Sequence, residues 1–291
     1  MNSAFTVDVE DGISIAMRDA FSVETKQTNR VVRLTEQILD LLSEKNIKGT
    51  FFLLGQVAEH HPNLVKEIAK RGHEVGIHGY NHLQFFRMTP DQAYQELSSA
   101  KKLIEDLIGN CVYGHRAPAF SITPDTEWGL DVIAEAGFEY DSSVMPISGI
   151  RYGWPDFPKD IHRIQTPKGY ELTEVPMSTI KVFGREIPVC GGGYLRLFPG
   201  WITEKSMKKI TKKRPAIIYI HPYELDLERY PDYYFDELNR ADFLKRNKMK
   251  SMWINRKTVY PKLSRLLDGF EFDTLINLVR KNQKEKTGTT E

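Results

Sequence analysis

Three short stretches of the sequence combine side chains that can bind a metal ion or transfer a proton. Residues 8–11 read Asp-Val-Glu-Asp, residues 78–82 begin and end with histidine, and His221 stands directly before Pro222. Two imidazoles and one carboxylate, with coordination positions left to water, form the ligand set of catalytic Zn²⁺, Fe²⁺ or Co²⁺ sites. Each stretch alone is more typical of a surface pair or a turn, but their combination favours one metal centre.

Each of these stretches follows a predicted β-strand. Residues 5–9 alternate apolar and polar side chains, residues 74–77 form a short strand, and residues 216–220 are strongly apolar. A further strand is predicted at residues 49–54. Functional groups on sheets of parallel strands gather at the carboxyl ends of the strands. We therefore expect the three stretches to meet at one edge of a sheet.

Helical patterns alternate with these strands, and this order is typical of an α/β fold with a mainly parallel sheet. Apolar residues recur at helical spacing over residues 31–42, and residues 62–71 form a short helix before a glycine. Residues 89–107 begin with Thr-Pro-Asp-Gln, a capping-box pattern, and residues 125–136 form another helix.

The second half of the chain changes in character. Residues 144–200 contain seven of the prolines and a run of three glycines, which predicts a looped or hairpin-rich insert. Residues 230–234 are predicted as a loop. Terminal helices are predicted at residues 259–267 and 274–279, and the polar segment 281–291 is predicted to be frayed.

Composition excludes several classes of function. The 291 residues carry 40 Lys and Arg against 39 Asp and Glu, a formal charge of +1, which gives no electrostatic footprint for nucleic acid. The hydrophobic fraction of 41% is ample for a packed core. Only two cysteines are present, and neither a signal peptide nor a transmembrane segment is recognisable. We therefore expect a cytoplasmic protein, with action at the inner face of a membrane as a further option.

Five motifs in this order make the chain resemble the polysaccharide deacetylases of carbohydrate esterase family 4, the NodB-homology domain. The motifs are residues 6–11, 78–82, 116–120, 140–143 and 219–222, and residues 48–52 also resemble the second strand of the family. The resemblance runs from Phe5 to about Pro222. It implies a distorted (β/α)7-type barrel with a looped or hairpin insert and C-terminal helices.

The resemblance also implies a division of the chain. A single polysaccharide-deacetylase-like catalytic domain would occupy residues 1–280, with the barrel core at about 4–222 and the insert at about 144–200. Residues 223–280 would form a C-terminal extension.

The activity implied by the resemblance is hydrolysis of an N-acetyl group on a sugar at one divalent metal. Zn²⁺ is the expected ion, with Co²⁺, Fe²⁺ and Ni²⁺ as alternatives. Asp8 would take a proton from the attacking water, with Arg116 beside it, and His221 would protonate the leaving amine. These three residues are the implied catalytic set.

The implied metal ligands are His78, His82 and one carboxylate, and the sequence leaves the carboxylate open. Strand alternation places Glu10 on the same side as the catalytic acid of the first motif. Asp11 is followed by glycine, as the family's acidic motif usually ends, and is the preferred choice, with Glu10 as the alternative.

The remaining implied residues concern the substrate. The resemblance, together with aromatic side chains able to stack on a sugar, gives Pro118, Phe120, Tyr140, Asp141 and Tyr194 as substrate-binding candidates. Backbone N–H groups near residues 140–143 would hold the oxyanion. For Asp141, a turn-capping role is an equally weighted alternative.

A looser resemblance connects the chain to a bacterial subgroup found with exopolysaccharide and O-antigen synthesis. It implies an N-acetylated sugar of a cell-surface polysaccharide precursor, linked to a nucleotide or a polyprenyl carrier. Two rival hypotheses remain: an amidohydrolase of the same fold acting on a small cyclic amide, and a non-catalytic sugar-binding relative. An intact pair of His78 and His82 argues against the first rival, and the retained acids argue against the second.

Overall fold

The computed structural model describes residues 2–149 and 152–287, and within them a curled sheet with parallel strands at its centre. Its parallel strands, in spatial order, are β10 (Ile217–Ile220), β1 (Ser3–Val9), β2 (Thr50–Leu53), β3 (Glu74–Ile77), β4 (Gly114–His115), β5 (Tyr140–Asp141) and β7 (Glu171–Glu174). Strand β6 (His162–Gln165) runs antiparallel to β7, and β11 (Phe272–Asp273) pairs with β1. The strands predicted at residues 5–9, 49–54, 74–77 and 216–220 are confirmed as β1, β2, β3 and β10.

Helices cover the outside of the sheet between successive strands. They are α1 (Gly12–Phe21), α2 (Arg30–Glu44), α3 (Gly55–His60), α4 (Pro62–Lys70), α5 (Pro90–Ile108), α6 (Trp128–Glu135), α7 (Gly192–Leu197) and α8 (Gly200–Ile210). The capping box predicted at Thr89 is present, because its hydroxyl accepts from the Gln92 N–H and the Gln92 side chain accepts from the Thr89 N–H.

The strands are buried on both faces, as expected for parallel strands covered by helices. In β1, Phe5, Val7 and Val9 pack towards the helices, whereas Ala4 faces the second apolar cluster inside the curled sheet. All seven residues of β1 are buried. The polar members of this strand therefore need partners, and this requirement decides where Thr6 and Asp8 point.

The segment 144–200 contains two hairpins, which are β6 with β7 and β8 (Thr179–Val182) with β9 (Arg185–Pro188). The prediction of hairpins is confirmed by this pairing. Strand β7 nevertheless joins the parallel sheet beside β5, so the segment is not simply added to the outside of the barrel. The division of the chain into a core, an insert and an extension stays a prediction.

The C-terminal region is more helical than the sequence predicts. It contains α9 (Asp232–Arg240), α10 (Phe243–Ser251), α11 (Val259–Gly269) and α12 (Leu275–Thr287). The two terminal helices are confirmed. The loop predicted at residues 230–234 is wrong from Asp232 onwards, because Pro231 is the N-cap of α9. Of the tail predicted to be frayed, residues 281–287 continue α12, and residues 288–291 lie outside the described residues.

In the part of the chain that the structure describes, we find no helix with the length and apolar character that crossing a bilayer requires. Cys111 is exposed and Cys190 is buried, and both are free thiols.

Candidate metal and catalytic site

The carboxyl ends of neighbouring strands bring the sequence motifs together. Strand β1 pairs with β10 in a register that aligns Val7 with Ile220, so the residues that follow both strands lie side by side. Strand β3 pairs with β4 through Ile77 and His115. This register places the imidazole of His78 next to the segment that carries Arg116.

Three side chains form a compact group of possible metal ligands. The Glu10 Oε1 atom lies 2.9 Å from His78 Nε2 and 3.1 Å from His82 Nε2. All three residues are buried, and their ligand atoms lie within 4.8 Å of one another. This oxygen and nitrogen donor set fits a divalent transition metal such as Zn²⁺.

The other ring nitrogen of each histidine, Nδ1, has a contact that orients the imidazole. His78 Nδ1 lies 2.8 Å from the carbonyl oxygen of Arg116 and donates to it, which leaves Nε2 free to act as a ligand. His82 Nδ1 lies 3.3 Å from Asp19 Oδ2. His82 has a φ of 57°, a left-handed backbone conformation that is costly for a residue other than glycine. Such strain at a candidate ligand is consistent with a functional position.

Asp11 does not join this group, so the preferred choice of ligand in the sequence analysis is corrected. Its Oδ1 accepts from the backbone N–H groups of Ile13 at 2.9 Å and Ser14 at 3.2 Å, and its Oδ2 accepts from the Thr28 N–H. Asp11 is the N-cap of α1. The structure places Glu10, the alternative, beside the two histidines.

Asp8 lies next to the ligand group and is held by Arg116. The guanidinium donates through Nη1 to Asp8 Oδ1 at 2.8 Å and to Thr6 Oγ1 at 2.7 Å. It also donates through Nε and Nη2 to the carbonyl and hydroxyl oxygens of Ser142, each at 3.0 Å. Arg116 is fully buried, so it positions Asp8 and lies outside the described residues that line the cavity. Its predicted catalytic role becomes a positioning role.

His221 faces Asp8 and Glu10 from the end of β10. Its Nε2 lies 3.9 Å from Asp8 Oδ2 and 3.9 Å from Glu10 Oε1, while Nδ1 lies 3.3 Å from Glu224 Oε1. The imidazole ring stacks on Tyr223 at a centroid distance of 4.8 Å. One nitrogen therefore faces the reaction space, and the other is oriented by a buried carboxylate.

The charges of the site shift its proton equilibria. Burial alone would raise the pKa of Glu10, but the charges of His82 and His221 and hydrogen bonds from His78 and His82 hold that pKa well below its usual value. Burial opposes protonation of His221, but Glu10, Glu224 and Asp8 raise its pKa to about 9. These carboxylates therefore favour the protonated form of His221, which is the form required of a proton donor.

A cavity of about 450 Å³ opens above these groups. Its floor carries Asp8, Glu10 and the three histidines of the site, and one wall is formed by Ile15, Ala16 and Asp19 of α1. Phe120 lines the cavity, as the sequence predicts, whereas the described lining residues do not include the other four substrate candidates.

Two of the other four substrate candidates, Tyr140 and Asp141, have structural partners instead and are corrected. Tyr140 is fully buried, and its hydroxyl donates to Glu74 Oε1 at 2.8 Å, at the opposite end of β3 from the cavity. Asp141 accepts from Ser143 Oγ at 2.6 Å and bonds His115 Nδ1 at 2.7 Å. It supports the loop that holds Arg116, which favours the structural alternative.

Pro118 and Tyr194 lie beside the cavity and outside its described lining residues. Pro118 is buried against Gly79, and the Tyr194 ring packs on Phe198 at a centroid distance of 6.0 Å. The oxyanion donors expected near residues 140–143 are also corrected in part, because the Ser142 N–H is bonded to the His115 carbonyl.

Several site residues were missed by the sequence analysis. Glu224 lies three residues after His221, a spacing that could have identified it. Asp19 lies on the inner face of α1, one turn after Ile15. Lys245 and Lys248 of α10 carry no local signal, because only the packing of α10 over the sheet brings them to the cavity.

Two parts of the chain match known protein families. Residues 25–140 match the family model described as polysaccharide deacetylase, and residues 142–280 match a domain of unknown function (DUF3473). The peptidoglycan-N-acetylglucosamine deacetylase of Bacillus cereus is 29% identical over 130 residues, which are 40% of this chain and 47% of that protein. Residues 25–140 are thus similar to polysaccharide deacetylases, and the match spans less than half of the length of that relative.

Solved structures match nearly the whole chain. A Mycobacterium smegmatis protein assigned as a polysaccharide deacetylase has a TM-score of 0.62 at 19% identity, with 98% of this chain and 91% of that chain covered. Puue allantoinase has a TM-score of 0.62 at 15% identity, with 99% and 92% covered. At these identities the likeness shows the fold, and it confirms the predicted (β/α)-barrel class.

Proposed function

We propose that the protein is a metal-dependent deacetylase that hydrolyses an N-acetyl group on a sugar. The observation that carries the proposal is the grouping of Glu10, His78 and His82 with Asp8 on one flank and His221 on the other. A metal ligand set between a candidate base and a candidate acid is the arrangement that amide hydrolysis requires. The curated relative named as a peptidoglycan-N-acetylglucosamine deacetylase supports this reaction class.

Each residue then has a defined task. Glu10, His78 and His82 would hold a divalent metal, which would supply Lewis-acid polarisation of the acetyl carbonyl. Asp8 accepts the proton of the attacking water, and the salt bridge from Arg116 orients its carboxylate.

His221 completes the reaction from the opposite side. It donates its proton to the leaving amine, and Glu224 holds the ring in position. Zn²⁺ is the proposed metal, since a two-histidine, one-carboxylate site accepts this ion readily; Co²⁺, Fe²⁺ and Ni²⁺ are alternatives.

The finer proposal concerns the form of the substrate. We propose an N-acetylated sugar of a cell-surface polysaccharide precursor, linked to a nucleotide or polyprenyl carrier, as in exopolysaccharide and O-antigen synthesis. Such a precursor is met in the cytoplasm or at the inner face of the membrane. Two free cysteines are consistent with a reducing compartment.

The test is acetate release from a panel of N-acetylated sugars, measured on the Zn²⁺-loaded protein with and without a chelator. We expect release by the wild-type protein and at least a hundredfold lower kcat for Asp8→Asn, with the metal content unchanged. Asp232→Asn, an exposed position at the start of α9, is the matched control. Unchanged release by Asp8→Asn would remove Asp8 from its role.

A second candidate function is hydrolysis of a small cyclic amide, favoured by the likeness of the fold to Puue allantoinase. The same protein preparation assayed with allantoin separates the two. Ring opening of allantoin without acetate release from any sugar would replace the deacetylase proposal.

A further inference from the structure

One wall of the cavity is formed by α10 and is basic. Leu244, Lys245, Lys248 and Met249 of this helix line the cavity. Residues 243–251 contain four basic residues and no acidic residue. Lys245 and Lys248 are three residues apart, so their side chains project from the same face of the helix.

The carboxylates of the floor have cationic partners within the site. Asp8 forms a salt bridge with Arg116, and Glu224 Oε1 lies 3.3 Å from His221 Nδ1. The floor is therefore suited to a neutral acetamido group, whereas an anionic group of the same ligand is attracted to the lysines of the α10 wall.

We propose that Lys245 and Lys248 bind the phosphate of a glycosyl phosphate whose N-acetyl group lies at the catalytic floor. This inference rests on the proposed function, and it assigns two residues of this chain to the phosphate of the carrier-linked sugar. Two lysines match two negative charges, which a glycosyl phosphate monoester and a glycosyl diphosphate linkage both carry, whereas bidentate capture of a carboxylate is typical of arginine. A cavity of about 450 Å³ lies in the size range of small-molecule sites.

The apolar residues beside the lysines extend this wall. Leu244, Met249 and Met252 border the same cavity, and Leu244 is 79% exposed. A phosphate held at Lys245 and Lys248 can continue into a nucleoside or into a polyprenyl chain. The shared chemistry is the glycosyl phosphate, and the test below distinguishes the two carriers.

The first test measures binding, which does not depend on turnover. N-Acetylglucosamine 1-phosphate and the neutral methyl glycoside of N-acetylglucosamine are titrated calorimetrically into the Zn²⁺-loaded full chain. We expect the phosphate to bind at least about tenfold more tightly, with the difference falling as salt is raised. Equal affinities would overturn the proposal.

Variants assign the difference to the two lysines. We expect Lys245→Gln/Lys248→Gln to lose most of the preference for the phosphate, since both side chains are exposed and the change does not disturb the core. Lys250→Gln is the matched control, an exposed lysine on the same helix that is absent from the described cavity lining. A preference that survives in the double variant, or that is lost equally in the control, would contradict the assignment.

The second test uses acetate release from three substrates: a uridine diphosphate sugar, a short polyprenyl diphosphate sugar, and the neutral methyl glycoside. A lower KM for either phosphorylated substrate that rises about tenfold in the double variant supports the phosphate site and identifies the carrier. Equal KM values for all three would reject the site while the deacetylase proposal stands. Phosphate-dependent binding without acetate release from any substrate would reject the deacetylase proposal and retain the site.

Discussion

Adjacent acids at the end of β1 have different tasks, and this difference is testable residue by residue. Glu10→Gln removes the charged ligand, and we expect loss of bound Zn²⁺ by at least about tenfold in affinity. Asp11→Ala removes an N-cap that accepts from three backbone N–H groups, and we expect a loss of about 1–3 kcal/mol of unfolding free energy with the metal stoichiometry unchanged. Metal analysis and urea unfolding of both variants check the expectation.

The reverse result would reassign the ligand. If Asp11→Ala lost the metal while Glu10→Gln kept it, the carboxylate of the site would be Asp11 and the hydrogen bonds to α1 would not describe the metal-loaded protein. Glu228→Gln is a control for both variants, because this carboxylate is exposed and lies in surface ion pairs.

Glu224 is expected to act through His221. It is buried, and its Oε1 lies 3.3 Å from His221 Nδ1 and 3.8 Å from Arg196 Nε. We expect Glu224→Gln to lower kcat about ten- to a hundredfold with little change in KM, since the ring loses its orienting charge while the cavity keeps its shape. A change in KM alone, measured by steady-state kinetics, would make Glu224 a substrate contact instead.

The sequence predicts most of the site at the residue scale, because strand ends in a parallel sheet converge. The sequence does not predict which hydrogen-bond donors a buried carboxylate will contact. Alternation along β1 correctly places Asp8 and Glu10 on one side. Asp11 is preferred in the sequence analysis because glycine follows it, as in the family's acidic motif, but this preference does not allow for the N-cap that α1 requires. The resemblance implies a substrate role for Tyr140 and Asp141, and the sequence cannot correct this because their partners, Glu74 and His115, come from other strands.

At the scale of elements, the amino end of β3 contains a pH-sensitive contact. His73 is buried, and its Nδ1 accepts from the Gly49 N–H at 3.1 Å. Burial, with the nearby charges of Lys48 and Arg71, lowers the pKa of His73 to about 4. The unfolded chain binds a proton at this residue near pH 6.5, so stability is full above that pH and falls as the pH drops towards 4.

We expect His73→Asn to reduce this loss. The Asn Oδ1 atom can accept from the Gly49 N–H without titrating, so the fall in unfolding free energy between pH 7 and pH 4.5 should shrink by about 2 kcal/mol, after allowance for partial solvent screening. Urea unfolding at several pH values measures it. His60→Asn, at an exposed histidine, should leave the pH dependence as it is in the wild type; an identical slope in His73→Asn would show that this histidine does not contribute.

The elements that the sequence predicts well are those whose local pattern and burial agree. Strand β1 alternates apolar and polar residues, β10 is strongly apolar, both are buried throughout, and α5 has a complete capping box. Strands β4 and β5 contain two residues each, too few for any periodic pattern. The start of α9 falls within the loop predicted at residues 230–234, because proline at position 231 is typical of a turn and of a helix start alike.

At the scale of the whole molecule, the C-terminal half covers the site. Helices α9 and α10 pack on α1 through an apolar cluster separate from the two clusters of the sheet. The cluster consists of Ile13, Ala16, Met17, Tyr230, Tyr234, Leu238 and Met249. Long-range packing of this kind leaves no local signal, so the roof of the cavity could not be predicted from the sequence.

Arg256 connects this roof to the rest of the molecule. It is buried, donates to the carbonyl oxygens of Asp226 and Met252, and lies 4.2 Å from the Trp253 ring centroid. Its removal therefore leaves buried carbonyl groups without a donor and separates the end of α10 from the segment after β10.

We expect Arg256→Met to loosen the roof while the sheet stays folded. Amide hydrogen exchange should quicken about tenfold or more in residues 232–251, with little change in β1 and β2, and KM should rise because the α10 wall is no longer held over the floor. Arg240→Met, whose partner Glu237 lies on the surface of the same region, is the control. A uniform loss of protection across the sheet would show that the roof and the barrel unfold as one unit, and unchanged exchange would show that Arg256 does not hold the roof in place.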